Sequence, residues 1–287
     1  MDVVRDVASL RAAVSAARAR GERIGFVPTM GALHAGHLSL VERARAACEY
    51  VVLSLFVNPL QFAPTEDLSS YPRTEQADLA AAALHGASLA FVPPVEVMYP
   101  GPRVIAVVPE SIADRWEGAI RPGHFAGVLT VVSKLFNLVQ PDVAVFGQKD
   151  LQQATLIRAL VRDLDFPLTL DIAPIVRESD GLAMSSRNRY LDPGQRHAAR
   201  VLSQTLVTIA GAHAAGISET PRLVALGDGR LRTESSVQSD YLSIVDPVRL
   251  EPVSNASDGD YVIIAARIGT TRLLDNHRFG DPLPTLS

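Results

Sequence analysis

The sequence predicts an α/β protein in two parts, a doubly wound parallel sheet of the Rossmann-like type followed by a smaller C-terminal α+β domain. Three observations carry this expectation. Short, continuously apolar runs of strand length recur through the first 180 residues. Segments with helical spacing of apolar residues separate them. Near Glu178 the pattern changes to a long helical stretch and then to strands that read as alternating. Continuous apolar strands interleaved with helices belong to a parallel sheet covered on both faces, whereas alternation belongs to a sheet with one wet face. The expected domains are residues 1–178 and 179–287.

The first strand is expected at residues 24–27, ending in a Pro/Gly turn. Residues 38–48 show helical spacing at Leu38, Val41 and Ala44, and 51–57 form a continuous apolar run. Residues 74–84 read as a helix with a Thr cap and acidic residues in its first turn. Strands are expected at 89–92 and 104–108, an apolar helix at 126–139 and a strand at 143–146. A helix follows at 151–164, with apolar residues at 156, 157, 160 and 164, and then a strand at 168–172. Beyond the boundary, Asp192-Pro193 opens one long helix reaching residue 215. A second helix around 219–226 ends in a Gly-containing turn, and 241–245 and 261–268 read as strands. Doubly wound sheets bind ligands beyond the carboxyl ends of their strands, so chemistry is expected in the loops after Val27, Val57, Phe146 and Ile175.

Composition narrows the function. A chain of 287 residues buries enough surface to fold without a disulfide or metal staple. With 47% hydrophobic and 20% charged residues it is not a disordered sequence. Its one cysteine, Cys48, excludes an internal disulfide framework and a multi-cysteine zinc site, and suits a reducing cytoplasm. No run of about 18 apolar residues predicts a membrane span. Asp2, Arg5, Asp6 and Arg11 near the start argue against a signal peptide. A net charge of −4 argues against a dedicated nucleic-acid binder, so the partner is expected to be small. Lys134 and Lys149 are the only lysines among 27 basic residues, which suggests a need for a compact ammonium where one occurs.

Four motifs carry chemistry. The strongest is Pro28-Thr29-Met30-Gly31-Ala32-Leu33-His34-Ala35-Gly36-His37, after a predicted strand and opening a predicted helix. A helix start offers unpaired N–H groups and a partial positive charge, which favour phosphate. If both lie in the first turn of the helix, a spacing of three puts His34 and His37 on one face, where two imidazoles can donate to phosphate oxygens. Gly31 and Gly36 let a nucleotide approach the backbone. The plainer reading is a capped helix with two surface histidines. A metal reading lacks the acidic residue of an H-E-x-x-H pattern.

The second motif, residues 146–153, again joins a strand end to a helix start. Gly147 allows close approach, Lys149 can meet a phosphate as a point charge, and Asp150 with Gln153 can form a capping box. The third, Met184-Ser185-Ser186-Arg187-Asn188, offers two hydroxyls and a guanidinium to an anion, or is simply a polar turn. The fourth, residues 58–62, holds Gln61, which can orient a substrate hydroxyl or carboxylate, within what is otherwise an Asn-Pro turn. Trp116 lies in a loop that ends in Arg121-Pro122-Gly123-His124, and His124 reads as a packing or supporting residue.

Together these motifs resemble the pantothenate synthetase (pantoate–β-alanine ligase) family. The matching stretches span almost the whole chain: residues 28–37, 54–62, 71–74, 121–137, 145–153, 176–191 and 266–276. The H-x-G-H pattern alone is shared with many nucleotidyltransferases and class I aminoacyl-tRNA synthetases; the ordered combination is far more specific. The resemblance implies that ATP and (R)-pantoate form pantoyl adenylate and pyrophosphate, and that β-alanine then displaces AMP. It also implies Mg²⁺, a cytoplasmic homodimer, an ATP- and pantoate-binding domain at 1–178 and a C-terminal lid.

Carried onto this sequence, the family's phosphate-binding histidines fall on His34 and His37, with His37 in an acid role towards pyrophosphate. Met30, Gly31, Ala32, Leu33, Ala35 and Gly36 would line the ATP site beside them. Gly147, Gln148, Lys149 and Asp150 match the nucleotide-binding segment, and Val176 would meet adenine through its backbone. Met184, Ser185, Ser186 and Arg187 match the segment that grips the triphosphate. Gln61 and Gln153 match the positions that hold pantoate, and Gln61 borders the β-alanine site. The expected catalytic set is His37, His34, Lys149 and Arg187. Many relatives carry Glu at position 148 and an aromatic at 151, and the acidic stretch after Tyr71 is thin here, with Asp78 remaining. Metal ligands are therefore left unassigned, since phosphates can hold Mg²⁺ with few protein ligands. The competing readings are another nucleotidyltransferase with a different acceptor, an RNA-binding synthetase-like module, and an inactive nucleotide-binding protein.

Overall fold

A computed structural model of the chain describes residues 1–63, 66 and 68–284. The chain divides into two compact units: Met1–Gln148 with Gln152–Pro174, and Lys149–Leu151 with the chain from Ile175 on.

The first unit is built on a six-stranded parallel sheet. Its strands are β1 (Asp2–Val4), β2 (Ile24–Thr29), β3 (Tyr50–Leu55), β4 (Leu89–Phe91), β5 (Val143–Gly147) and β6 (Thr169–Ala173), in the spatial order β1-β4-β3-β2-β5-β6. The helices are α1 (Val7–Ala19), α2 (Ala35–Ala47), α3 (Glu75–Leu84), α4 (Val95–Met98), α5 (Glu117–Ile120), α6 (His124–Val139) and α7 (Leu151–Asp163). The apolar strands are continuous because successive residues serve opposite faces. Phe26, Val52, Ala144 and Phe146 join a core with residues of α1, α6 and α7. Val27, Val51, Leu53, Val143 and Val145 join a second core with residues of α2 and α3. From β2 the sheet grows to β3 and β4 on one side and to β5 and β6 on the other, so the carboxyl ends of β2 and β5 flank the reversal where ligands bind such sheets. On α6, Lys134 donates to the Met98 carbonyl and its ammonium lies 5.7 Å from the centre of the Tyr99 ring.

The second unit holds α8 (Pro193–Ala199), α9 (Val201–Ala214), α10 (Thr220–Leu231) and an antiparallel sheet of β7 (Val237–Val245), β8 (Tyr261–Ile268) and β9 (Thr271–Arg278) in sequential order. It has its own core, centred on Leu202, Leu206, Ile209, Ile244, Val262 and Ile264.

Four sequence expectations are corrected. Residues 104–108 form no strand. Their β-branched composition fits one, but the Val107 N–H donates to Thr130 Oγ1 on α6 (3.0 Å) instead of to a neighbouring strand, and Val104, Ile105 and Val108 are 93%, 82% and 71% exposed. The long helix of 192–215 opens as expected, with a capping box between Asp192 and Gln195, but divides at Arg200, whose N–H turns back to the His197 carbonyl three residues away. The helix around 219–226 does not stop at its glycines. It continues to Leu231 because a Cβ at Gly227 would sit 2.5 Å from Ile209 and 2.7 Å from Leu242, so the glycine lets α10 pack closely. The strand at 261–268 does not alternate: β8 lies between two partners and only Arg267 is exposed. Strands β1 and β9 are additions to those the sequence predicts.

Candidate active site

In the first unit, β2 delivers the chain into the histidine turn. Thr29 Oγ1 donates to the Ser54 carbonyl (2.9 Å) and accepts the Gly31 N–H (3.2 Å). Gly31 stands at φ +83°, where a side chain is strained, and an added Cβ would lie 3.1 Å from Asp78 Oδ2. Asp78, on α3 and 4% exposed, accepts the N–H groups of Ala32 at Oδ2 and Leu33 at Oδ1, both at 2.8 Å. The Thr74 hydroxyl also donates to Oδ1 (3.0 Å). One carboxylate thus bends three residues so that His34 becomes the residue preceding α2. The His34 and His37 rings lie 4.1 Å apart, centre to centre, at 33°. Both imidazoles stand at the N-terminus of a 13-residue helix, an arrangement that attracts an anion.

Beside this turn, Asn58-Pro59 opens a single tight helical turn ending at Gln61. Asn58 Oδ1 accepts the Leu60 N–H (3.2 Å) and the Tyr99 hydroxyl (2.8 Å), and Asn58 Nδ2 donates to Gln61 Oε1 (3.1 Å) and the Gly127 carbonyl (3.1 Å). Gln61 Nε2 meets Met30 Sδ at 3.1 Å, which places these two site residues together. Gly127 is required here, because a Cβ would fall 2.1 Å from the Leu60 carbonyl oxygen.

The Gln61 carbonyl is gripped twice, by His124 Nδ1 (2.8 Å) and by Arg121 Nη2 (3.2 Å). Arg121 Nη1 also donates to His124 Nε2 (3.0 Å), and a guanidinium only donates, so the His124 proton sits on Nδ1. Arg121 in turn pairs with both oxygens of Glu66, at 2.5 and 2.9 Å. Burial pushes the Glu66 carboxyl up, but the hydrogen bond and charge of Arg121 outweigh it and hold it below its ordinary value. His124 is thus a supporting residue for Gln61.

Gly147 and Gln148 close β5, where Gln148 N–H donates to the Ala173 carbonyl (2.8 Å) and a Cβ on Gly147 would meet nothing within 4 Å. Gln153 is half-buried on α7. Its neighbour Gln152 is buried and holds the loop before α5: Oε1 accepts the Glu117 N–H (3.0 Å), and Nε2 donates to the carbonyls of Ile112 (2.7 Å) and Arg115 (2.9 Å).

The second unit carries the other expected residues. Lys149 Nζ lies 3.5 Å from Asp150 Oδ1, and the Lys149 carbonyl accepts from Asn276 Nδ2 (3.0 Å). Residues 176–184 form a tight hairpin around Gly181, with Met184 N–H donating to the Val176 carbonyl (3.0 Å) and Glu178 N–H to the Leu182 carbonyl (2.9 Å). Arg177 makes a two-pronged pair with Asp275, at 2.6 and 2.9 Å, and also donates to the Gly181 carbonyl (3.0 Å). Arg196 binds Glu178 and Asp180 together, at 2.8–3.0 Å. The hydrogen bond from Arg196, against the effect of burial, holds Glu178 below its usual value. Burial is the larger single influence on Asp180, yet Arg196 and the Leu182 N–H bring it down as well. Ser185 then caps a short turn, Ser186–Tyr190, by accepting the Arg187 N–H (3.3 Å). Asn188 ties that turn to Glu178 (2.8 Å) and the Ala183 carbonyl (3.1 Å).

The expected residues therefore fall into two sets. Met30, His34, His37, Gln61, Gly147, Gln148 and Gln153 stand in the first unit; Lys149, Asp150, Val176 and Met184 to Arg187 stand in the second. Arg121, Gln152, Asp275 and Asn276 carry no predicted role, Asn58 only that of a turn former, and Asp78 only that of a remaining acid. Asp275 and Asn276 lay inside a matched stretch, and that was their only signal.

Comparison with known proteins gives a consistent result. The family model described as pantoate-beta-alanine ligase matches residues 2–278. A pantothenate synthetase of Acidobacterium capsulatum is 50% identical over 286 residues, covering 96% of each chain. One from Stutzerimonas stutzeri is 50% identical over 279 residues, covering 96% of this chain and 97% of that one. Among solved structures, the pantothenate synthetase of Thermus thermophilus superposes with a TM-score of 0.93 at 47% identity, over 97% of this chain and 99% of that one. The pantoate-beta-alanine ligase of Francisella tularensis, solved with Beta-gamma ATP and Beta-alanine, gives 0.79 at 29% identity, over 98% and 99%.

Proposed function

This chain belongs to the pantoate-beta-alanine ligase family, and we propose that it joins (R)-pantoate to β-alanine in two steps driven by ATP. A pantoate carboxylate oxygen attacks the α-phosphorus in line, and pyrophosphate leaves with the bonding electron pair. The β-alanine amine then attacks the carbonyl carbon of pantoyl adenylate, AMP departs, and the amine gives up a proton as the amide forms. No covalent bond to the protein is needed, so the protein's work is positioning and charge stabilisation.

The observation that carries this reading is the His34–His37 pair, its rings side by side at the start of α2 after a turn held by Asp78. Two ring nitrogens and a helix N-terminus suit phosphate oxygens, and His37 acts as the acid towards the departing pyrophosphate. Lys149 and Arg187 neutralise phosphate charge, with Ser185 and Ser186 as hydroxyl donors and Val176 presenting backbone to adenine. Gln61 and Gln153 hold pantoate. The buried network of Asn58, His124 and Arg121 supports Gln61 by fixing both its side chain and its carbonyl. The Francisella complex supports ATP and β-alanine as ligands of this site class.

Mg²⁺ belongs to this reading as the partner of ATP. Among the described residues no group of three or more His, Cys, Asp or Glu is arranged to hold a metal ion, and both Asp78 oxygens accept protein donors. The side chains present do not form a cage for the ion, whose natural ligands here are phosphate oxygens and water. The reading also includes a cytoplasmic homodimer. Its support is that the single cysteine, Cys48, is free and buried; no helix among the described residues is long and apolar enough to cross a membrane. Sedimentation equilibrium tests the dimer.

The deciding experiment follows pyrophosphate with purified protein, ATP, Mg²⁺ and pantoate. The expected result is pantoate-dependent ATP–pyrophosphate exchange without β-alanine, and steady pyrophosphate release only with it. Absence of both signals, with ATP still bound, would move the acceptor to another class.

A further inference from the structure

Asp275 and Asn276 are consecutive residues of β9, 3% and 2% exposed. Neighbouring strand residues point to opposite faces, so two consecutive buried polar side chains serve different partners. Asp275 takes both prongs of the Arg177 guanidinium and so fixes the hairpin that carries Val176 and Met184. Asn276 donates to the Lys149 carbonyl, 127 residues away in sequence. The Asn276 N–H itself bonds to Asp275 Oδ1 (2.8 Å), which locks the two side-chain anchors into one local geometry.

We propose that this pair is a positioning brace: one short stretch of β9 sets the Lys149 backbone and the 176–187 segment in a common register, so that both meet the same triphosphate. The inference rests on the functional reading above. Its physical basis is that lysine is a compact charge on a flexible stem. Its ammonium can be aimed only if its own backbone is fixed, and the side-chain anchor on that backbone is Asn276. The Arg177–Asp275 pair has the planar, two-bond geometry that sets orientation as well as distance.

The test is a double-mutant cycle on the full chain, reading kcat/KM for ATP in the exchange assay and ATP affinity by calorimetry. Asn276→Ala is expected to lower kcat/KM for ATP about tenfold while leaving KM for pantoate unchanged. In a Lys149→Ala background the same change is expected to cost less than about twofold, because its effect passes through Lys149. A merely structural role would cost the same factor in both backgrounds, and that result overturns the brace. Arg177→Lys keeps the charge and loses the second prong, so it serves where Asp275→Asn fails to fold. A fall in ATP affinity with unchanged pantoate KM is expected, and no change in ATP affinity counts against the proposal. If Lys149→Ala itself retains wild-type exchange, the functional reading fails and the brace with it. If Lys149→Ala lowers exchange but leaves it measurable, and Asn276→Ala costs the same factor in that background as in wild type, the brace alone fails.

Discussion

The histidine turn of the first unit and the lysine–hairpin region of the second are both proposed to meet phosphate, yet they are fixed by different means. In the first, one carboxylate holds two backbone amides, and every partner lies between Thr29 and Asp78. In the second, the ties are side chains, many of them ionic, and they join residues as distant as Arg177 and Asp275. The first is a matter of backbone shape. The second is a matter of charge between side chains, so it should answer to pH.

The largest expected effect removes chemistry without touching either frame. His37→Ala should fold with an unchanged melting temperature yet lose roughly 10²–10³ in adenylation rate, the usual cost of one preorganised donor. Wild-type turnover in the pure variant would break the assignment. Asp78→Asn tests the backbone frame. It replaces an acceptor of one loop amide with a donor and should cost about 1.5–3 kcal/mol in urea unfolding, with a fall in activity. An unchanged midpoint would show that the turn holds itself.

The ionic frame is tested by acid. Glu178 and Asp180 have lower pKa values in the fold than in the unfolded chain. Their contribution is therefore present above the ordinary carboxylate range and is lost as pH falls through the folded values. Arg196→Ala should cost roughly 1 kcal/mol near neutrality, since the groups are partly exposed, and the gap from wild type should close as pH falls through the lowered carboxyl values. A gap that persists in acid would show that packing, not charge, does the work. Burial also lowers the His277 imidazole. A buried neutral histidine disfavours folding once the unfolded form protonates, so stability should begin to fall below about pH 6.5. His277→Asn should remove that first step in a melting series. The smallest effect is expected outside both regions: exposed Ile105→Thr should change stability by less than about 0.5 kcal/mol.

What could be read from the sequence follows the range of the interactions. The strand at 143–146, the apolar helix at 126–139 and the helix at 38–48 were readable because each is defined by its own apolar spacing. The stretch at 104–108 misled because composition reports strand propensity and says nothing of whether a neighbour exists. The break at Arg200 turns on one tightened backbone bond, which apolar spacing does not register. At the site, the nearness of the His34 and His37 rings fits a spacing of three, although His34 precedes α2 in extended backbone instead of lying in its first turn, and the turn at Gln61 follows from Asn58-Pro59. Asp78 reads in sequence as an ordinary acid in the first turn of a helix, where such residues are favoured anyway. Gln152 and Asn276 act on partners 35 and 127 residues away, and only the fold brings those together.

The scarcity of lysine has a practical consequence for labelling. Amine-reactive reagents meet only two side-chain amines in this protein. Lys134 is engaged by the Met98 carbonyl and the Tyr99 ring, while Lys149 holds Asp150 at 3.5 Å and keeps part of its side chain open. Acylation followed by peptide mass spectrometry would therefore read Lys149 in a peptide of its own, apart from that of Lys134. Protection of that one peptide by added nucleotide would serve as an occupancy gauge that needs no substrate turnover.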